Sequence, residues 1–435
     1  MTKSFLALTI FIFCYSFAPA ATESDSILAL RAARLWDGRS QAPITNGIVI
    51  VERGMIRQAG TGIPIPDGAK VVDLGDVTLL PGFIDMHVHT TGELGANFLL
   101  TFYQGLRKTV AEQAIEASVM ARRMLDAGFT TIRNLGAYDR IDAGLRDAIA
   151  KNLIPGPRIL AATNALGARG GHCDSTGFPE GTFGEESGIA DGIASGPDQF
   201  RDAVRYQVKY GADVIKVCAT GGVLSIGDEV DTPQITQAEM DAIVEEAHKL
   251  RKRVAVHAHG AEGAKVAIRA GADTIEHGSF LDDEALRMMK ERGTWLVPTL
   301  LAGEFAGKGP ASKTLPPEVQ AKAAAAIGKR SDTFKKALKM QVKIAFGTDS
   351  GVSPHGVNAQ EFGLLVDHGM SPVSALRAAT MDAATALGLE KQIGSLETGK
   401  VADVIAVAGD PFRDIHVTEK VVFVMKGGNI IRSKQ

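Results

Sequence analysis

The stretch Leu80-Pro-Gly-Phe-Ile-Asp-Met-His-Val-His89 decides the fold. Apolar through Phe83 and Ile84, it reads as a buried strand ending in two histidines at alternate positions. Side chains alternate along a strand, so His87 and His89 share one face and Val88 takes the other. Two neutral imidazoles converging from one strand end make half of a divalent-metal site. The same pair would also suit a sheet edge where both rings are merely hydrogen-bonded. Its meaning therefore depends on what else the chain brings to that edge.

Downstream, residues 81–389 repeat strand, loop and helix. Strands are expected at 129–133, 158–161, 213–217, 253–257, 274–277, 295–298 and 343–346. Several follow glycine-marked helix ends such as Ala127-Gly128 and Ala270-Gly271, where glycine suits the C-cap. Ile243, Ala247 and Leu250 recur at helical spacing before the strand at 253–257. With the opening strand this makes an α/β pattern, a (β/α)8 TIM-like barrel whose site lies at the C-terminal strand ends. The alanine-rich stretch from Ala321 to Ala326 reads as helix, its lysines on a solvated face.

Both flanks of this block are rich in short strands. Ile48 to Val51, Met55 to Arg57 and Val71 to Leu74 are separated by turns such as Arg53-Gly54; near the other end come Ala402 to Val407 and Val421 to Met425. Residues 27–80 and 390–433 are expected to meet as one small β-sandwich module. At the N-terminus, Lys3 precedes an apolar run from Phe5 to Phe17, and Ala18-Pro-Ala20 offers small residues for cleavage. That is the layout of a secretory signal peptide over residues 1–20; an uncleaved anchor is the alternative. Export is expected, to a periplasm or the medium, with no membrane association after cleavage. The net charge of −3 and pI near 6.4 give no basic surface for nucleic acid. After cleavage Cys173 and Cys218 remain, and both are read as free packing residues. The oligomeric state is left open, a homo-oligomer being compatible with all of this.

The chemistry lies in the order of strand ends. His87 and His89 close the first strand, Lys216 the fourth, His257 the fifth and His277 the sixth. Asp349 closes the eighth, in Phe346-Gly-Thr-Asp-Ser-Gly351. Histidines and carboxylates gathered on one barrel rim are metal ligands. Lys216 needs its own account, because an ammonium has only donors and is repelled by a cation. Buried beside metal ions it should lose its proton and could take up carbon dioxide, giving a carbamate with two oxygens. An ion pair to Asp349 or Glu276 is the alternative.

Taken together these motifs resemble the amidohydrolase superfamily, in a secreted branch related to Xaa-Pro dipeptidases and imidazolonepropionases. The resemblance is carried by Pro81 to His89, Ile215-Lys216 with Gly221-Gly222-Val223, His257-Ala-His259-Gly260, Ile275-Glu-His277-Gly278 and Gly347-Thr-Asp349-Ser. Gly394 to Asp403 adds the family's return into its β module. The resemblance implies two divalent metal ions, zinc being expected. His87, His89 and Asp349 would hold the first; His257 and His277 would hold the second. A carboxylated Lys216 and a hydroxide would bridge them. His259 shares strand parity with His257 and stays open as the ligand in its place. The activity implied is hydrolysis of the amide bond of dipeptides or N-acyl amino acids, with Asp349 as general acid and base. His259 and His172 are candidates to orient or polarise the substrate carbonyl; His172 follows Gly170-Gly171 in the loop after the third strand. His355 is a weaker candidate, and Arg169 or the loop from Ser225 to Thr232 could meet a substrate carboxylate. A cyclic-amide hydrolase or deaminase is the enzymatic alternative, although deaminases of the superfamily generally lack the bridging lysine. A non-catalytic barrel scaffold is the alternative from another class.

Overall fold

The computed structural model describes residues 27–182 and 184–433. The expected signal peptide, with Cys14, lies outside them. The chain opens with β1 (Leu28–Leu35), β2 (Ile44–Glu52), β3 (Met55–Thr61), β4 (Lys70–Asp73) and β5 (Val77–Pro81). Strand β5 runs almost directly into β6 (Phe83–Val88), the first strand of the central block. Then follow α1 (Phe98–Arg107), α2 (Val110–Asp126), β7 (Phe129–Asn134), α3 (Ile141–Ala150), β8 (Arg158–Ala161), β9 (Gly167–Ala168) and β10 (Ile193–Ala194). Next come α4 (Pro197–Lys209), β11 (Val214–Cys218), α5 (Gln237–Lys249), β12 (Arg253–Gly260), α6 (Ala261–Ala270) and β13 (Thr274–Phe280). The block ends with α7 (Asp283–Arg292), β14 (Trp295–Val297), α8 (Leu300–Lys308), α9 (Pro317–Lys339), α10 (Gln360–Asp367), α11 (Pro372–Ala378) and α12 (Met381–Leu387). The chain then returns through β15 (Val404–Ala408), β16 (Val421–Lys426) and β17 (Asn429–Ser433).

The two chain ends share one eight-stranded sheet, ordered β17-β16-β15-β5-β1-β2-β3 with β4 on β1. Ile405 of β15 pairs antiparallel with Leu80 on one side and with Val424 on the other. A single apolar cluster, including Leu30, Val49, Leu79, Val404 and Phe423, unites both ends. Burial of that apolar area is what makes the distant segments meet.

In the central block β6-β7-β8 form one parallel sheet and β11-β12-β13-β14 another. They are not one continuous ladder, although the architecture is TIM-barrel-like. Leu166 bridges to Val217 on one side of the gap, and Leu296 bridges to Ile344 on the other. The strand expected at 343–346 is thus not a regular strand. The Phe346 amide donates to the Ala378 carbonyl at 3.0 Å, not to a strand neighbour, and the chain turns left-handed at Asp349 (φ 58°). Its carbonyls still serve both sides: Leu296 N donates to Lys343 O at 2.8 Å and Met86 N to Phe346 O at 2.9 Å.

Helix α5 begins with a capping box of Thr236 and Glu239 and buries Ile243 and Ala247, as their spacing predicts. Helix α9 contains the alanine-rich stretch, but not all its cations face water. Lys322 is turned inward, 2.8 Å from Asp228 Oδ1, and Arg330 is buried. A second correction concerns the cysteines. Cys173 and Cys218 are bonded to each other across 45 residues, so neither is free. Gly167 makes the approach feasible, since a Cβ there would stand 2.7 Å from Cys173 Cβ.

Candidate metal centre

Strand alternation delivers what the sequence pattern promised. His87 is buried at the end of β6, and His89 follows just beyond it. Their Nε2 atoms lie 3.5 and 3.3 Å from Asp349 Oδ1. The left-handed turn at Asp349 is held by its amide, which donates to the His87 carbonyl at 2.7 Å. Across the site, donor atoms of His257, His259 and His277 lie within 4.8 Å of one another, as do those of His87, His89 and Asp349. The two groups are contiguous: the His87 and His277 ring centroids are 4.9 Å apart, and those of His257 and His277 are 4.7 Å apart.

Protonation follows from burial. Desolvation pushes His87, His257, His259 and His277 well below the ordinary histidine value, so each is neutral at pH 7. Burial alone would raise the Asp349 carboxyl, but His87, His89 and Lys216 outweigh it and hold it at about 2. Lys216 sits on β11 at 4% exposure, and burial lowers its pKa to about 8. Glu276 and Asp349 act on it through space, but neither reaches salt-bridge distance, so the ion-pair alternative for this lysine is not what the structure holds.

The outer contacts fix which nitrogen faces inward. His87 Nδ1 lies 2.9 Å from Glu276 Oε2. A carboxylate only accepts, so Nδ1 donates and Nε2 keeps its lone pair. His257 Nε2 lies 3.1 Å from the Gly221 carbonyl, which likewise leaves Nδ1 as that ring's lone-pair atom. His277 Nδ1 meets Thr299 Oγ1 and His259 Nδ1 meets Ser279 Oγ, both at 2.8 Å.

His172 joins the site from the loop between β9 and β10. Its ring stacks on His257 with centroids 4.3 Å apart, and its buried Nδ1 has no hydrogen-bond partner among the described residues. Burial pushes its pKa to about 4. Gly222 makes room for it, because a Cβ there would lie 2.0 Å from His172 Cε1. Other candidates do not join. His355 spends both ring nitrogens, on Glu93 at 2.9 Å and the His89 carbonyl at 3.0 Å. Arg169 is exposed and paired with Glu186. The loop from Ser225 to Thr232 is tied down through Asp228, which accepts from Ser225 and Lys322.

Sequence reasoning missed the supporting residues. Arg133, buried on β7, donates to Glu276 Oε1 at 2.8 Å and so fixes the carboxylate that orients His87. Asp85 accepts from Thr348, Asn358 and the His87 amide, bracing the turn that carries Asp349. Asp85 stands in the opening motif, so its place on the strand was visible, but Thr348 and Asn358 lie 263 and 273 residues away and left no local signal.

With this geometry in place, comparison with known proteins agrees. The Amidohydrolase family model matches residues 78–432. Ochratoxinase of Aspergillus niger is 31% identical over 436 residues, covering 95% of this chain and 88% of the relative. The crystal structure of a Xaa-Pro dipeptidase with bound methionine in the active site superposes with a TM-score of 0.87 at 40% identity, covering 94% of this chain and 100% of that one. Imidazolonepropionase of Pseudomonas putida is 28% identical over 408 residues, covering 86% and 90%.

Proposed function

Because the chain belongs to the amidohydrolase family, and is thereby a hydrolase acting on carbon–nitrogen bonds, we propose that it cleaves the amide bond of dipeptides or N-acyl amino acids with two divalent metal ions, zinc being the expected pair. The observation that carries this reading is the contiguous cluster of neutral imidazoles around anionic Asp349 and buried Lys216. The ochratoxinase and the Xaa-Pro dipeptidase among the similar proteins support it. The same reading takes residues 81–389 as a (β/α)8 catalytic barrel and 27–80 with 390–433 as a β-sandwich module.

The donor set fits the metals. His87 and His89, through Nε2, and Asp349 would hold one ion; His257 through Nδ1 and His277 through Nε2 would hold the other. His259 remains the alternative to His257. Lys216, buried without a carboxylate partner, would add through Nζ to carbon dioxide, forming an N–C bond and releasing a proton. When bound, such ions lower the pKa of a water towards neutrality and polarise the scissile carbonyl.

The chain's own groups do the rest. Asp349 is deprotonated across the neutral range and would accept the proton of the attacking water. It returns that proton to the leaving nitrogen. His172, neutral and stacked on His257, would hydrogen-bond the substrate carbonyl oxygen through a ring nitrogen.

The test is metal analysis plus hydrolysis of a dipeptide and N-acyl amino acid library, beside Lys216→Ala and Asp349→Ala. A metal pair per chain and loss of turnover in both variants is the expected result. A single metal, ammonia release from heterocycles and an indifferent Lys216 would shift the chain to the cyclic-amide hydrolase or deaminase side. We further propose that the protein acts outside the cytoplasm on small substrates, without nucleic acid or membrane partners. Among the described residues no helix is long and apolar enough to cross a membrane, and a Cys173–Cys218 bond suits an oxidising compartment. N-terminal sequencing of the exported fraction should begin after Ala20; a start at Met1 would contradict export with cleavage.

A further inference from the structure

Two arginines are buried around the centre, and only one of them is neutralised. Arg133 faces Glu276 at 2.8 Å. Arg330, on α9 at 5% exposure, has no carboxylate within salt-bridge distance among the described residues. Its Nε donates to Ser279 Oγ at 3.1 Å and its Nη1 to the Thr299 carbonyl at 2.7 Å. Among the described residues Nη2 meets no acceptor. Burial depresses its pKa, and Asp349 and Glu361 act on it only through space. Glu361 is a poor counter-ion: its oxygens accept from Leu300 N and Leu301 N at 3.0 and 2.7 Å, and burial pushes it up to about 8. A buried, unpaired guanidinium is costly unless something completes it.

Its two anchors tie it to the histidine cluster. Ser279 Oγ also meets His259 Nδ1, and Thr299 Oγ1 meets His277 Nδ1, both at 2.8 Å. Gly303 permits the approach, since a Cβ there would stand 3.1 Å from Nη1. We infer that Arg330 anchors a carboxylate of the substrate, the α-carboxylate of the leaving amino acid, through Nη2. A guanidinium presents parallel donors that match a carboxylate, and the alternative cation, Arg169, is spent on Glu186 at the surface. Arg330 is then the residue that selects amino-acid amides over amides that lack the acid. The inference rests on the proposed acyl amino acid substrates, and it can be read by binding, independently of turnover.

The experiment uses metal-loaded protein and matched probes that contain no hydrolysable bond: proline and pyrrolidine, phenylalanine and phenethylamine, lysine and cadaverine. Affinities are measured by calorimetry for the wild type, Arg330→Gln and Arg330→Lys, with metal content and melting temperature followed in parallel. The wild type should prefer the acid in at least one pair by roughly 10–100-fold, as a charge-assisted contact gives. Arg330→Gln should lose that preference while its metal content and its affinity for the decarboxylated partner hold, and Arg330→Lys should keep part of it. Absence of any preference in the wild type would overturn the inference. So would a preference that survives in Arg330→Gln, which would put the carboxylate on the metals. Equal weakening of both probes with loss of metal would also overturn it, leaving Arg330 as a brace for the histidine rings. Failure of the hydrolysis reading shows separately, as an unreactive substrate library.

Discussion

His87 owes its chemistry to a residue on a different strand. Without Glu276 its tautomer would be free; with Nδ1 donating to that carboxylate, Nε2 is committed to face Asp349. Replacing Glu276→Gln leaves an acceptor but removes the charge, and Arg133 becomes a buried cation with no counter-ion. Metal affinity should fall about 10–100-fold, measured by chelator competition, and stability by about 3–5 kcal/mol, measured by denaturant unfolding. Unchanged affinity would show that Glu276 does not orient the ligand. The pH dependence of the metal-free protein follows from the same burial. A histidine whose folded pKa is depressed binds fewer protons than its unfolded counterpart, so stability is lost as pH falls below the unfolded value. For His172 that window runs from 6.5 down to about 4, and His87, His257, His259 and His277 add to it in the same direction. Calorimetry of the metal-free protein should show a lower Tm at pH 5 than at pH 7; a constant Tm would mean that these rings are not buried as neutral bases.

At the scale of elements, the strand ends were legible because alternation and glycine punctuation are local. Residues His87, His89, Lys216, His257, His277 and Asp349 could be placed from strand position, and the fold brings them together. The eighth segment misled because Phe346 gives its amide to Ala378 in α11, a partner that no periodicity announces. Arg330 was hidden by an alanine- and lysine-rich helix that resembles a solvated face, and the cysteine pair by the 45 residues between its members. That bond ties the loop between β9 and β10 to β11, with His172 next in sequence to one cysteine and Lys216 two residues from the other. Cys173→Ser with Cys218→Ser, or a reductant, should therefore cost about 2–4 kcal/mol of stability and lower kcat more than it raises KM, as His172 loosens over His257. Melting curves with and without reductant and steady-state kinetics check both. If neither changes, the bond does not position the loop.

At the scale of the molecule, the sheet built from both chain ends and the TIM-barrel-like block are joined where β5 runs into β6, one strand before the histidine pair. The sequence showed two β-rich flanks but not their interleaving, in which β15 enters between β5 and β16. That arrangement ties the strand that leads to His87 and His89 to β15 as well as to β1. The centre that this frame presents is proposed to hydrolyse amides with bound metal. The most direct measurement strips the metals with a chelator and titrates zinc back. Hydrolysis of the best acyl amino acid substrate is followed alongside bound metal per chain. The stripped protein should show no turnover, and recovery should level off when a second equivalent is bound, with Lys216→Ala failing to recover. Full turnover by the stripped protein, or recovery complete at the first equivalent and indifferent to Lys216, would contradict the proposal.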